Sequence, residues 1–380
     1  MKKRNQFLSY GRQFIDEEDI QVVVETLRSP YLTQGPKIKE FEQALADYVG
    51  AQYAVAFCNG TAALHAACYA AGIGEGDEVI TSPITFAASA NCVRYMGGTV
   101  VFADIDANTY NIDPAEIRKK ITSRTKAIIP VDFTGQPADL DAINDIAREY
   151  NLVVIEDGAH SLGAEYKGKK VGTQADMTMF SFHPVKPITT AEGGIIVTNN
   201  KSYYQKLQLF RSHGIEQTEY SADQGDWYYE MTDLGYNYRM TDLQAALGLS
   251  QMTKIDKFIQ HRREIAAFYT EAFLDMDRIV LPQQLQNTSS GWHLYMIQLE
   301  GVSRKQIFEQ MRALNIGVHV HYIPVYWHPY YQQLGYERGL CPNAEKWYEK
   351  ALTLPIHPNM TAEDLAITVS NIKELLKQPK

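Results

Sequence analysis

Between Tyr53 and Thr198 the chain repeatedly alternates short apolar, β-branched runs with stretches of helical periodicity, and this alternation restricts the fold more than any other feature. Tyr53-Ala-Val-Ala-Phe57, Glu78-Val-Ile-Thr-Ser82, Asn151-Leu-Val-Val-Ile155, Met177-Thr-Met-Phe-Ser-Phe182 and Gly194-Ile-Ile-Val-Thr198 read as strands. Residues Ile38–Val49, Thr61–Ala71, Pro114–Ile121 and Leu140–Tyr150 read as helices. Strands that lack polar alternation are buried on both faces, which a parallel sheet between two helical layers provides. The expected class is therefore α/β, with residues 1–254 forming a large domain around a mostly parallel central sheet covered by helices. Near residue 255 the pattern changes. A long helix over Ile255–Leu274, a strand over Trp292–Leu299, a helix over Ser303–Leu314 and an aromatic-rich stretch over Val318–Tyr331 suggest a smaller α+β domain over 255–380. A chain of 380 residues, 45% hydrophobic, suffices for one large core and a second smaller one.

Lys186 lies between two of the predicted strands, in Ser181-Phe-His-Pro-Val-Lys186-Pro-Ile-Thr-Thr-Ala-Glu-Gly193-Gly194. A lysine in so tight a connection tends to lose solvent, and desolvation frees the amine as a nucleophile for a carbonyl or for pyridoxal 5'-phosphate (PLP). A solvated loop lysine is the plain alternative. Asp157 ends the strand that begins near Asn151, and His160 follows three positions later. Open α/β sheets place ligand contacts at such strand ends, and a carboxylate there is what holds a pyridine nitrogen protonated. Capping the next turn is the competing role for Asp157, and a satisfied core position the competing one for His160. Asn59-Gly60-Thr61-Ala62 leads from a strand into an alanine-rich helix, so its N–H groups suit a phosphate or simply cap the helix. Phe86, after Pro83, would stack on a planar ring or fill the core.

Together these segments resemble the fold type I PLP-dependent transferases, and within them the DegT/StrS-type aminotransferases acting on nucleotide-linked keto sugars. The resemblance runs from Tyr10-Gly-Arg-Gln-Phe-Ile-Asp16 and Tyr31-Leu-Thr-Gln-Gly35 through Glu156-Asp-Gly-Ala-His160 to Arg211-Ser-His-Gly214 and Gly235-Tyr-Asn-Tyr-Arg239-Met-Thr241. Ser181–Gly194, Phe210–Gly214 and Val320-His-Tyr-Ile-Pro-Val325 look most like the subgroup of the pseudaminic acid pathway. It implies PLP bound covalently on Lys186, which also shuttles a proton, with Asp157 at the pyridine nitrogen and His160 near the ring hydroxyl. It implies that Phe86 stacks on the ring and that Gly60, Thr61, Ala62 and Ser181 hold the phosphate and its surroundings. Asn237 would reach that phosphate from a partner subunit, with Arg239 following it, and the alternative for both is bonding within their own loop. Tyr10, Pro30, Tyr31, Leu32, Thr33, Val320, His321, Tyr322 and Ile323 would wall the sugar-nucleotide site, to which Gly60, Ser181, Asn237 and Arg239 also contribute.

The implied substrates are a UDP-linked keto sugar and L-glutamate, and the implied assembly is a homodimer with shared sites. Some related sugar enzymes carry histidine in place of the lysine and eliminate water. Here a lysine is present, which favours transamination. A transaminase for another 4-keto or 3-keto nucleotide sugar, and a non-catalytic protein of this fold that senses a sugar nucleotide, stay open as alternatives.

A net charge of −9 argues against nucleic acid or an anionic membrane as a partner. Met1-Lys-Lys-Arg-Asn-Gln-Phe-Leu-Ser9 has basic residues but no apolar run behind them, so a signal peptide is not expected. The four cysteines, Cys58, Cys68, Cys92 and Cys341, show no paired spacing and fit a reducing cytoplasm. His319, His321 and His328 lack carboxylate or cysteine partners at ligand spacing, so they read as lining residues and no metal is expected.

Overall fold

In the computed structural model, which describes residues 1–377, seven strands form one sheet in the order β1-β7-β6-β5-β4-β2-β3. They are β1 (Tyr53–Phe57), β2 (Glu78–Thr81), β3 (Thr99–Phe102), β4 (Thr125–Ile129), β5 (Val153–Asp157), β6 (Met177–Ser181) and β7 (Gly194–Thr198). Pairings among β2 to β6 are parallel, whereas β7 runs antiparallel to both its neighbours, β1 and β6. The mostly parallel sheet expected from the unbroken apolar runs is what forms. A Cβ on Gly194 would lie 2.6 Å from the Asn59 carbonyl oxygen, so glycine lets β7 start this close to the end of β1.

Helices cover both faces. Helix Pro36–Val49 starts with proline in its first turn and buries Ile38, Phe41, Leu45, Ala46 and Val49, the stripe that a 3.6-residue period puts on one face. Helix Gly60–Ala70 is almost wholly buried because its alanines let it lie close on the sheet. Leu140–Tyr150 has the predicted bounds, with Asp139 capping its start and Asn151 in a left-handed conformation ending it.

Beyond the long helix Ile255–Phe273, β8 (Ile279–Val280), β9 (Tyr295–Leu299) and β10 (Ala351–Leu354) form an antiparallel sheet in the order β8-β9-β10. Tyr269, Phe273, Ile297, Met311 and Leu354 build its core, which Leu8 from the N-terminal segment completes. The strand begins at Tyr295 rather than at Trp292 because Trp292 has a positive φ of 46° that interrupts extended pairing. Residues 318–331 are largely irregular; Val325 donates its N–H to the Pro83 carbonyl at 2.9 Å, which pins this stretch onto the first sheet. Residues 378–380, the end of the predicted C-terminal unit, lie outside the described residues. Among the described residues no helix is long and apolar enough to cross a membrane.

One long-range contact organises the N-terminal segment. Helix Pro36–Val49 has Gly35 at its cap and so no capping side chain of its own. Buried Asp242 supplies the acceptors instead, taking the Gly35 N–H at 2.8 Å and the Lys37 N–H at 3.1 Å. Replacing Asp242 with alanine leaves both donors unmet and should cost about 1–3 kcal/mol. The expected readout is a lower urea midpoint at unchanged far-UV spectrum, with Asp242→Asn losing less; an unshifted midpoint for the alanine variant would remove the contact from the stability account.

Candidate active site

Parallel strands share a direction, so the C-terminal ends of β2, β4, β5 and β6 emerge on one edge of the sheet, where the loops that follow them can converge. On that edge lies a cavity of about 1140 Å³. Tyr10, Gly60, Thr61, Ala62, Phe86, Asp157, His160, Ser181 and Lys186 line it, together with Val320, His321, Tyr322 and Ile323.

Lys186 sits in the connection between β6 and β7, where its N–H closes a turn on the His183 carbonyl at 2.9 Å. Its amine is half-buried and faces the cavity rather than bulk water. Burial lowers the amine to about 8; the Asp157 carboxylate opposes that shift, and the buried Arg262 guanidinium adds to it. Asp157, 4% exposed, accepts the Ser89 hydroxyl at 2.6 Å and the Ala159 N–H at 3.1 Å. It therefore serves its turn and still lines the cavity. Burial raises its carboxyl above the ordinary range, while Ser89, the Ala159 N–H and Lys186 hold that rise back. His160 is 3.4 Å from the Tyr322 hydroxyl through Nε2, and its buried Nδ1 has no partner among the described residues. Burial keeps it well below the usual histidine range, so the ring is neutral.

At the helix start, Asn59 is the capping residue, and its Oδ1 takes the Ala62 N–H at 2.8 Å. Ala62 lines the cavity with its N–H in that cap, and Gly60 and Thr61 offer the helix-start N–H groups without a partner among the described residues. A Cβ on Gly60 would lie 3.2 Å from the Ser181 Cβ, so the helix start presses directly on the end of β6. Phe86, 62% exposed, is no core residue and presents its ring to the cavity.

Pro30, Tyr31, Leu32, Thr33, Asn237 and Arg239 do not line this cavity. They form a second group. The Asp242 N–H donates to the Leu32 carbonyl at 3.0 Å, and Thr33 bridges Thr241, so the two segments run side by side. Tyr31 and Leu32 are 54% and 45% exposed, and Asn237 is exposed as well. Arg239 is half-buried with its Nε unpartnered among the described residues.

Two residues escaped the sequence reading. Ser89 bonds Asp157 from 68 positions away, and helical spacing carries no sign of that. His293 lines the cavity with its ring centroid 4.4 Å from that of His160, and its position just before strand β9 was the only available hint. The donor set of a half-buried amine, a buried carboxylate, an exposed aromatic face and free helix-start N–H groups suits a planar aromatic aldehyde carrying a phosphate.

Comparison with known proteins agrees with that chemistry. The model of the DegT/DnrJ/EryC1/StrS aminotransferase family matches residues 13–373. The chain is 42% identical to the spore coat polysaccharide biosynthesis protein SpsC of Bacillus subtilis over 99% of each. It is 39% identical to the UDP-4-amino-4,6-dideoxy-N-acetyl-beta-L-altrosamine transaminase of Campylobacter jejuni over 98% of each. Among solved structures, Helicobacter pylori PseC, an aminotransferase of pseudaminic acid biosynthesis, superposes with a TM-score of 0.91 at 35% identity, covering 97% of this chain and 99% of that one. The PLP form of the putative sugar aminotransferase Spr1654 from Streptococcus pneumoniae superposes with a TM-score of 0.91 at 32% identity, covering 97% and 98%.

The lowered amine makes a direct prediction. In cofactor-free protein, reaction of Lys186 with a small aldehyde, trapped by borohydride and mapped by peptide, should rise with pH through a midpoint of about 8 and then level off. A surface lysine would titrate near ~10.4. Because Asp157 raises the amine, Asp157→Asn should move the midpoint lower still. A midpoint in the surface range, or an upward move in the variant, contradicts this account of the site.

Proposed function

We propose, from the premise that the chain belongs to the DegT/DnrJ/EryC1/StrS aminotransferase family, that it moves an amino group from L-glutamate to C4 of UDP-2-acetamido-2,6-dideoxy-β-L-arabino-hex-4-ulose. The product would be UDP-4-amino-4,6-dideoxy-N-acetyl-β-L-altrosamine, the compound named for the Campylobacter jejuni relative. At the coarser level the chain is a PLP-dependent sugar aminotransferase. The observation that carries the reading is the Lys186 amine, lowered to about 8 in a cavity that it shares with Asp157.

PLP, when bound, supplies a conjugated ring that accepts the electron pair left when a C–H bond beside the amine breaks. On this reading Lys186 would carry the covalent attachment and, whenever that bond is released, its free amine would take a proton from the donor carbon and return one to the other partner. Asp157, whose carboxylate accepts the Ser89 hydroxyl, would keep the proton on the pyridine nitrogen. The neutral His160 ring would stand near the cofactor hydroxyl, Phe86 would offer its ring to the cofactor, and the Gly60 and Thr61 N–H groups beside Ser181 would hold its phosphate. Tyr10 and residues Val320, His321, Tyr322 and Ile323 wall the sugar.

Among the described residues, Lys186 is the only lysine or arginine that lines the cavity, although a UDP-sugar carries a diphosphate. This supports a two-fold homodimer in which Asn237 and Arg239 of one copy, with the Pro30–Thr33 segment beside them, complete the site of the other. If so, mixing Lys186→Ala chains with Asn237→Ala chains should recover part of the activity, because each hybrid dimer holds one intact site. No recovery after confirmed subunit exchange would place each site within one chain.

A second reading is favoured by one comparison: the chain is 42% identical to SpsC, slightly more than to the altrosamine transaminase at 39%. Another 4-keto or 3-keto nucleotide sugar is then the substrate. Discrimination between epimers requires buried polar groups that go unpaired with the wrong sugar, each worth about 1–3 kcal/mol. With glutamate and PLP, the L-arabino 4-keto sugar should therefore show a kcat/KM at least about tenfold above that of its D-xylo epimer. A preference for the D-xylo compound would move the enzyme to bacillosamine-type substrates, and turnover of neither would move it to a different sugar altogether.

A further inference from the structure

Thr353 is the one polar side chain in β10, Ala351-Leu-Thr-Leu354, and it is fully buried. Burying a hydroxyl in an apolar strand is unfavourable unless its O–H has an acceptor. Here the partner is His321, whose Nδ1 lies 2.9 Å from the Thr353 Oγ1. The backbone makes this meeting unavoidable. Thr353 and His319 exchange backbone hydrogen bonds of 2.8 and 3.1 Å, which aligns the 319–322 stretch with β10. His321 is 4% exposed, lines the cavity, and packs against the rings of Tyr10 at 4.9 Å and His319 at 4.5 Å between centroids.

We propose that Thr353 is a positioning residue for the reaction: its hydroxyl donates to His321 Nδ1 and so holds the ring as the tautomer whose proton is on Nε2. The hydrogen-bond inventory leaves little choice. Thr353 Oγ1 has no other partner among the described side-chain and backbone groups, and a buried O–H donates wherever an acceptor is in reach. His321 must then accept at Nδ1, and a neutral ring that accepts at one nitrogen carries its proton on the other. Neutrality follows from the surroundings, since burial, His319 and Lys186 all disfavour a charged ring there. The wall thus presents an N–H donor, which suits an oxygen of the bound sugar nucleotide, whether carbonyl, hydroxyl or diphosphate. This deepens the substrate reading above and rests on it for the identity of the acceptor, but the tautomer itself does not depend on any ligand.

The test compares Thr353→Val, which keeps the shape and removes the hydroxyl, with Thr353→Ser, which keeps the hydroxyl. In holoenzyme with 15N-labelled histidine, and with His321 assigned through a His321→Gln variant, the wild type and Thr353→Ser should show an unprotonated Nδ1. Thr353→Val should shift the ring toward the Nδ1–H form. Its KM for the keto sugar should rise about tenfold, the cost of one misdirected hydrogen bond, and Thr353→Ser should restore it. The half-reaction with glutamate, followed by the change in cofactor absorbance without any sugar, should be unchanged. A wild-type proton on Nδ1, an unaltered tautomer in Thr353→Val, or equal slowing of the glutamate half-reaction would overturn the assignment. If the wild type turned over none of the sugars offered, the substrate reading would fail while the nitrogen signals still decided the role of Thr353.

Discussion

The site depends on a contest at one nitrogen. Burial takes solvent away from the Lys186 ammonium, and the nearby Asp157 carboxylate favours keeping it. Desolvation wins, because water stabilises a charge more than one carboxylate that is itself partly desolvated and shared with Ser89 can. The outcome is an amine lowered to about 8, which yields its neutral, nucleophilic form near neutral pH far more readily than a surface lysine does. Around it, the Gly60 helix start presses on Ser181 at the end of β6, and residues 318–331 are pinned to Pro83 by the Val325 N–H.

The same physics accounts for the uneven distribution of charge. The chain as a whole is acidic, and the cavity gathers neutral rings, His160, His293, His321 and Tyr322, around a single lysine. A cavity of this kind binds an aromatic ring well and a diphosphate poorly. The exposed group of Tyr31, Leu32 and Asn237, with the half-buried Arg239, carries what the cavity lacks: apolar surface that water does not favour and a guanidinium whose buried Nε has no hydrogen-bond partner among the described residues. Such a patch is stable when another surface covers it, which is what the proposed second copy of the chain would supply.

Much of this was legible in the sequence because the signals were local. Apolar runs without polar alternation mark strands buried on both faces, and Asp157, Lys186 and Gly60 mark strand ends by their place after such runs. Phe86 was ambiguous for the same reason, since an aromatic beside a strand reads alike whether it packs inward or faces a cavity; its 62% exposure separates the two. That Asn59 reaches forward to take the Ala62 N–H was not legible, because several cap geometries suit the same letters.

The sequence by itself determined the class of fold, the edge of the sheet at which chemistry gathers, and the residues that arrive there at strand ends, because periodicity and chain direction are properties of neighbours along the chain. Tertiary structure alone decided which distant groups complete them. Ser89 on Asp157, His293 beside His160, Asp242 on the Gly35 helix start and Thr353 on His321 are each a meeting of residues tens to hundreds of positions apart. No local pattern records such a meeting, since each depends on where a whole helix or strand lies in the packed core, and packing is a property of all the elements at once.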